Sequence, residues 1–150
     1  MAINARNMTN KELFYGHKAC GGCAASLTIR WTLKVFGERT IAVVPPNCMS
    51  TVGFIFPHMT FGCNAIIPPF AATAAVMSGI LASAKAQGLE DYHVVGFAGD
   101  GGTADIGLQA LSGAIDRNDK ITYICYDNEA YMNTGIQRSG TTPFGSWTNT

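Results

Sequence analysis

A single carboxylate, Asp100, sits among glycines in the stretch HVVGFAGDGGTADIG, which runs from His93 to Gly107. An apolar run leads into it, and a second one, ITYICY from Ile121 to Tyr126, is followed by Asn128. Gly99, Gly101 and Gly102 let the backbone come close to a diphosphate, and a helix opening after them points its N-terminus at the same spot. The dinucleotide fingerprint does not fit, because its third glycine falls on Ala104. The acid in the middle of the motif also repels a bare pyrophosphate, so a cation belongs between them. A carboxylate from one strand end and an amide oxygen from the next are hard ligands with little charge. They suit Mg²⁺, which keeps water and takes further bonds from phosphate. Gly-Asp-Gly alone is a common turn; strand, GDG, helix, strand, Asn is the specific pattern.

The thiols form a second group. Cys20-Gly-Gly-Cys23 reads as a zinc half-site, a redox dithiol or an iron–sulfur half-site, and the spacing leaves all three open. Cys48 supplies a third thiol after a strand and two prolines. Cys63, in TFGCNA, reads as structural, and Cys125, inside ITYICY, as a core residue. His17 reads as a loop histidine bonded to backbone. His58 and the aromatics of GFIFPHMTF shape a lid or an interface.

The elements that must position these groups follow from pattern. The first seventeen residues are polar and read as a surface run, and Ala19 to Cys23 as a loop. Ala24 to Phe36 suits a helix with Leu27, Trp31, Leu33 and Val35 as apolar contacts, Trp31 in the core, and Gly37 as the stop. Thr40 to Val44 is a β-branched strand ended by Pro45-Pro46, and Gly53 to Phe56 a short extended piece. Ala71 to Gln87 is an alanine-rich helix capped by Gly88. His93 to Ala98 and Ile121 to Tyr126 lack alternation, which predicts strands buried on both faces of a parallel sheet, joined by a helix over Ala104 to Asp116 with Leu108, Leu111 and Ile115 on one face. Parallel strands present their carboxyl ends side by side, which brings Asp100 and Asn128 together. The fold class is α/β.

Composition narrows the function. Hydrophobic residues make up 47% and charged ones 13% of 150 residues, which suits one domain with a real core. Net charge is zero, so no basic footprint points to nucleic acid. So few charges leave surface for other subunits. No apolar run reaches the roughly 18 residues of a membrane span, and MAINARNMTNKELF has no signal-peptide core. The expectation is a cytoplasmic protein, with no membrane partner, whose five cysteines are thiols or ligands rather than disulfides.

With GDG and Asn128 in place, the chain resembles thiamine-diphosphate-dependent enzymes. YDNEAYMNTGIQRSG (Tyr126 to Gly140) and the opening GHKACGGC are similar to the β subunit of pyruvate:ferredoxin oxidoreductases, a 2-oxoacid:ferredoxin oxidoreductase family, over about Gly16 to Thr150. The resemblance implies a three-layer thiamine-diphosphate-binding fold over 1–150, incomplete at its C-terminus, with a cluster-binding segment over 16–50. It implies Mg²⁺ ligation by Asp100, Asn128 and the carbonyl of Ala130. Gly99, Gly101, Gly102, Met132, Thr134 and Ile136 would contact thiamine diphosphate, with Asn133 near the diphosphate or the reacting carbon. It implies that Cys20, Cys23 and Cys48 bind a [4Fe–4S] cluster, whose fourth ligand is not identified. The implied reaction converts pyruvate and coenzyme A to acetyl-CoA and CO₂, or the reverse, with electrons passing through the cluster to ferredoxin. The alternatives are an oxidoreductase for another 2-oxoacid such as oxalate or a branched-chain oxoacid, a non-redox thiamine decarboxylase or synthase, and a zinc-stabilised binding module. None of Glu12, Glu38, Glu90 and Glu129 reads as the glutamate that activates thiamine. The resemblance implies that a partner subunit supplies it, so the chain alone is silent.

Overall fold

The computed structural model describes residues 7–150; residues 1–6 of the N-terminal surface run lie outside the described residues. In chain order the elements are α1 (Ala24–Phe36), β1 (Thr40–Val43), α2 (Cys48–Gly53), β2 (Asn64–Ile66), α3 (Thr73–Ala86), β3 (His93–Gly99), α4 (Leu108–Asp116) and β4 (Thr122–Tyr126). The four strands form one sheet in the order β2-β1-β3-β4, every pair parallel. Val43 pairs with Gly96, and Gly99 with Tyr126, so the chain leaves β1, β3 and β4 at the same edge.

Strand alternation assigns the two faces. Ala42, Val44, Val95 and Phe97 join Ile29 and Leu33 of α1 and Met49 of α2 in one buried cluster. Val43 and Val94 meet Met77 of α3 on the other face, and α4 lies beside α3. Helix, sheet and helix therefore make three layers. Gly96 is what lets α3 close on the sheet, since a Cβ there would stand 2.5 Å from Met77 Sδ. The carboxyl end of α3 is closed by Gly88, at φ +69°, with Leu89 N–H donating to the Ala84 carbonyl.

Several expectations are corrected. Leu13 and Phe14 do not run over the surface; both are buried, and Phe14 bridges to Phe61 while Gly62 N–H donates to the Leu13 carbonyl. Trp31 is 53% exposed and Leu27 as much, because α1 turns Ile29 and Leu33 to the sheet instead. Gly53 to Phe56 is not extended: Gly53 ends α2. The strand β2 forms where the sequence shows no strand pattern. Ile121 to Tyr126 is not buried on both faces, because β4 is the sheet's edge, and Cys125 is exposed rather than core. Leu108 and Ile115 are exposed, and α4 buries Ala114. Among the described residues, no helix is long and apolar enough to cross a membrane.

Candidate active site

The carboxyl edge of the sheet opens into a cavity of about 250 Å³. Its wall carries Gly99, Asp100, Gly101 and Gly102 from the β3 end, Asn128, Ala130, Met132, Asn133 and Thr134 from the β4 end, and Cys48 after β1. Of the residues expected to contact cofactor, only Ile136 falls outside this wall. It is exposed, at φ +65°, where its amide closes the 131–137 loop onto the Tyr131 carbonyl.

Asp100 is 2% exposed. Ser139 Oγ donates to its Oδ2, and Thr141 Oγ1 does so at 3.1 Å. The side-chain amide of Asn128 reaches both Asp100 Oδ1 (2.9 Å) and the Ala130 carbonyl (3.0 Å). With its nitrogen turned inward it donates to both; with its oxygen inward, three oxygens face one point. That donor set of carboxylate, amide and carbonyl fits a hard divalent cation. The turn holding it is built locally. Asp127 Oδ1 accepts from the Glu129 amide (2.8 Å) and, at 2.9 Å, competes with Asp100 for the single Thr141 hydroxyl proton, and Glu129 sits at φ +64°.

The motif glycines have a role beyond phosphate approach. A Cβ on Gly101 would stand 2.3 Å from Tyr131 Cε1, and one on Gly102 2.9 Å from Phe70 Cε2. The two rings pack edge to face, 6.3 Å apart, and Tyr131 Oη donates to Asp105 Oδ2 at 2.8 Å. Burial, that bond and the Asp105 charge push the Tyr131 phenol up to about 12. The helix expected from Ala104 begins instead as a π-helical turn over Gly101–Asp105, and α4 proper starts at Leu108. Thr103 Oγ1 donates back to the Gly99 carbonyl at 2.7 Å, tying that turn to the strand.

Cys48 opens α2, whose capping box is formed by Asn47 and Ser50. Asn47 Nδ2 also donates to the Phe97 carbonyl (2.9 Å), pinning the helix start to β3. Burial pushes the Cys48 thiol up, and the nearby Cys23 and Cys20 push it the same way; its own amide and that of Asn133 act in the opposite sense. Cys23 and Cys20 thus lie within electrostatic reach of Cys48, which stands near the Asn133 amide. Among the described residues no three His, Cys, Asp or Glu side chains could hold one metal ion. Thiolates are the ligand type an iron–sulfur cluster takes, and a cubane spaces them more widely than a single ion does. Burial is the main influence on both Cys63 and Cys125; after it come backbone groups of Cys63 itself and Ala42 for the first, and Thr103, Asp127 and Asp100 for the second, with no other thiol acting on either. His17 Nδ1 accepts from the Ala19 amide at 3.3 Å, as a loop histidine would.

Sequence reasoning missed Ser139 and Thr141 on Asp100, the Tyr131–Phe70 pair, Asn47 and Tyr126. The signal available for the first two was the hydroxyl-rich SGTT at Ser139 to Thr142.

The family model described as "Thiamine pyrophosphate enzyme, C-terminal TPP binding domain" matches residues 35–150. The chain belongs to this family. As a thiamine pyrophosphate enzyme domain, it is 52% identical over 143 residues to the ketoisovalerate oxidoreductase subunit VorB of Pyrococcus horikoshii, covering 92% of this chain and 46% of that one. It is 53% identical over 135 residues to the pyruvate synthase subunit PorB of Methanothermobacter thermautotrophicus, covering 90% and 47%. The chain thus spans about half the length of the curated relatives it matches. A solved 2-oxoglutarate:ferredoxin oxidoreductase from Magnetococcus marinus shares the fold, with TM-score 0.69 and 19% identity over 96% of this chain and 53% of that one.

Proposed function

We propose that this chain is the thiamine-diphosphate-binding part of a β-type subunit of a 2-oxoacid:ferredoxin oxidoreductase, working in the cytoplasm with partner subunits. The observation that carries the reading is the shared cavity: GDG, the Asn128 loop and Cys48 line one space. Non-redox thiamine enzymes have no use for a thiol trio there. Five free thiols suit a reducing compartment.

Asp100 Oδ1, Asn128 Oδ1 and the Ala130 carbonyl would hold Mg²⁺, which would supply positive charge for a diphosphate. Ser139 and Thr141 hold the carboxylate in position from its other oxygen. Gly99, Gly101 and Gly102 carry the backbone beneath the diphosphate, and Met132 and Thr134 wall the cofactor. Asn133, in the cavity wall, would lie near the diphosphate or the reacting carbon. Cys20, Cys23 and Cys48 would hold a [4Fe–4S] cluster, with the fourth ligand drawn from outside this trio, and it would supply one-electron transfer. Thiamine diphosphate, when bound, would supply a nucleophilic carbon and an electron sink. In balance, a 2-oxoacid and coenzyme A would become acyl-CoA, CO₂ and a proton, with two electrons passed to ferredoxin. The activating glutamate comes from a partner subunit.

Pyruvate is the proposed oxoacid. Ketoisovalerate is the second reading, because the relative named for it is as similar as the one named for pyruvate. The ratio of kcat/KM for the two acids in the assembled enzyme decides between them.

The test of the reading is Cys→Ser at 20, 23 and 48 in the assembled enzyme. Each change is expected to remove the low-temperature EPR signal of the reduced cluster and cut ferredoxin reduction by about 100-fold, the upper end of what losing even an outer partner of a metal ligand costs, while thiamine diphosphate still binds. Intact cluster signals in all three variants, or zinc in place of iron and acid-labile sulfide, would sink it.

A further inference from the structure

The two oxygens of the Asp100 carboxylate are held differently. Oδ1 faces the Asn128 amide, which reaches on to the Ala130 carbonyl. Oδ2 accepts from Ser139 Oγ, and Thr141 Oγ1 stands 3.1 Å from it. Asp100 and Ser139 are both buried, at 2% and 1% exposure, so water hardly competes for their bond. Ser139 is fixed from behind as well. Its amide donates to Thr142 Oγ1 at 2.9 Å, and Thr142 Oγ1 donates to the Glu129 carbonyl. The strap from Ser139 to Thr142 is thus tied to the turn that carries Asn128 and Ala130. Its grip on Oδ2 is made by protein groups alone.

A hard cation placed between Asp100, Asn128 and Ala130 would therefore meet one carboxylate oxygen rather than two. That difference separates the common divalent ions. Ca²⁺ takes about six to eight oxygens and accepts a carboxylate through both of its oxygens, whereas Mg²⁺ demands a near-ideal octahedron. The spacing agrees. The inward atom of the Asn128 amide stands 2.9 Å from Asp100 Oδ1 and 3.0 Å from the Ala130 oxygen. Neighbouring corners of a Mg²⁺ octahedron stand about 2.9 Å apart, and those of a Ca²⁺ octahedron roughly 3.3–3.7 Å. We propose that Ser139, supported by Thr141, is a positioning residue that keeps Asp100 a one-oxygen ligand and so makes the site select Mg²⁺ over Ca²⁺. This deepens the reading of Asp100, Asn128 and Ala130 as metal ligands and rests on it. Thr141 has the smaller share, because Asp127 Oδ1, at 2.9 Å, draws on the same hydroxyl proton. Without the Ser139 hydroxyl, Oδ2 is free to turn onto the ion. Ca²⁺ gains a bond by that turn, and Mg²⁺ loses its geometry.

The experiment is a calorimetric titration of thiamine diphosphate into the assembled enzyme, in Mg²⁺, in Ca²⁺, and in chelator with neither. The wild type should bind more tightly with Mg²⁺ than with Ca²⁺. Ser139→Ala should lower that ratio by about tenfold, the weight of one hydrogen bond to a charged group. Thr141→Val should lower it less, and it serves if Ser139→Ala folds poorly. Thr141→Ser, which keeps the hydroxyl, should hold the wild-type ratio. An unchanged ratio in both Ser139→Ala and Thr141→Val, even with weaker binding in each ion, would overturn the inference and reduce the two residues to loop anchors, leaving the metal ligands standing. A wild type that binds equally well with Ca²⁺ and Mg²⁺ would overturn it too. A wild type whose affinity in chelator matches that in either ion would overturn both this inference and the reading beneath it.

Discussion

Asp100 serves two sets of partners. One carboxylate oxygen holds the hydroxyls of Ser139 and Thr141, and the other faces the Asn128 amide. Asp100→Asn keeps the volume and removes the charge. We expect Mg²⁺-dependent affinity for thiamine diphosphate to fall by about 100-fold or more, in line with the several kcal/mol a bound cation contributes. Titration calorimetry with and without Mg²⁺ measures this, and unchanged affinity would mean the acid only anchors the 139–142 loop. At this scale the sequence was informative where a residue had no reason in the fold. A lone acid among glycines, followed by an Asn after the next strand, has none, so both stand out. Ser139 was silent because a hydroxyl in a polar loop has no pattern, and its partner lies 39 residues away.

Among the elements, the turn after β3 has two neighbouring glycines set by side chains from elsewhere. Gly101→Ala would push a methyl into the Tyr131 ring and displace it from Asp105. Overpacking of this kind costs about 1–3 kcal/mol, which should appear as a lower midpoint in denaturant. Adding Tyr131→Ala should make the Gly101→Ala change nearly free, and a cycle with no coupling between the two would dismiss the collision. The long elements were readable: α1, α3, β1 and β3 lie where composition and caps put them. The short ones were not. With Thr51, Val52 and Gly53 in its six residues, α2 has poor helix propensity and forms through its capping box. Three-residue β2 owes its pairing to β1, which no local pattern announces.

For the molecule as a whole, the layer order was legible because buried parallel strands leave continuous apolar runs. Which strand lies at the edge was not, since an edge strand packed on one side can be as apolar as a central one; β4 is such a case. Likewise Trp31 and Trp147 are exposed although their type suggests a core. Core burial also sets a pH response. Burial against the central cluster pushes the Cys63 thiol up to about 11 from 9.0. Folding thus favours the protonated thiol. Its contribution is complete below pH 9 and fades as pH climbs toward 11, because the unfolded chain releases its proton first. Denaturant melts at intervals across that window should lose stability more steeply in the wild type than in Cys63→Ala. Equal slopes would place the thiol in water.

The side-chain amide of Asn128 can meet Asp100 Oδ1 and the Ala130 carbonyl with either of its two ends. With nitrogen inward it donates to both; a half-turn about its Cβ–Cγ bond presents oxygen instead, the end a cation would take. The two orientations differ by two hydrogen bonds, each worth about 1 kcal/mol net. A doubly charged ion would offset that difference more readily than a singly charged one, which has half the field at the same point. A neutral side chain would in this way favour the ion of higher charge.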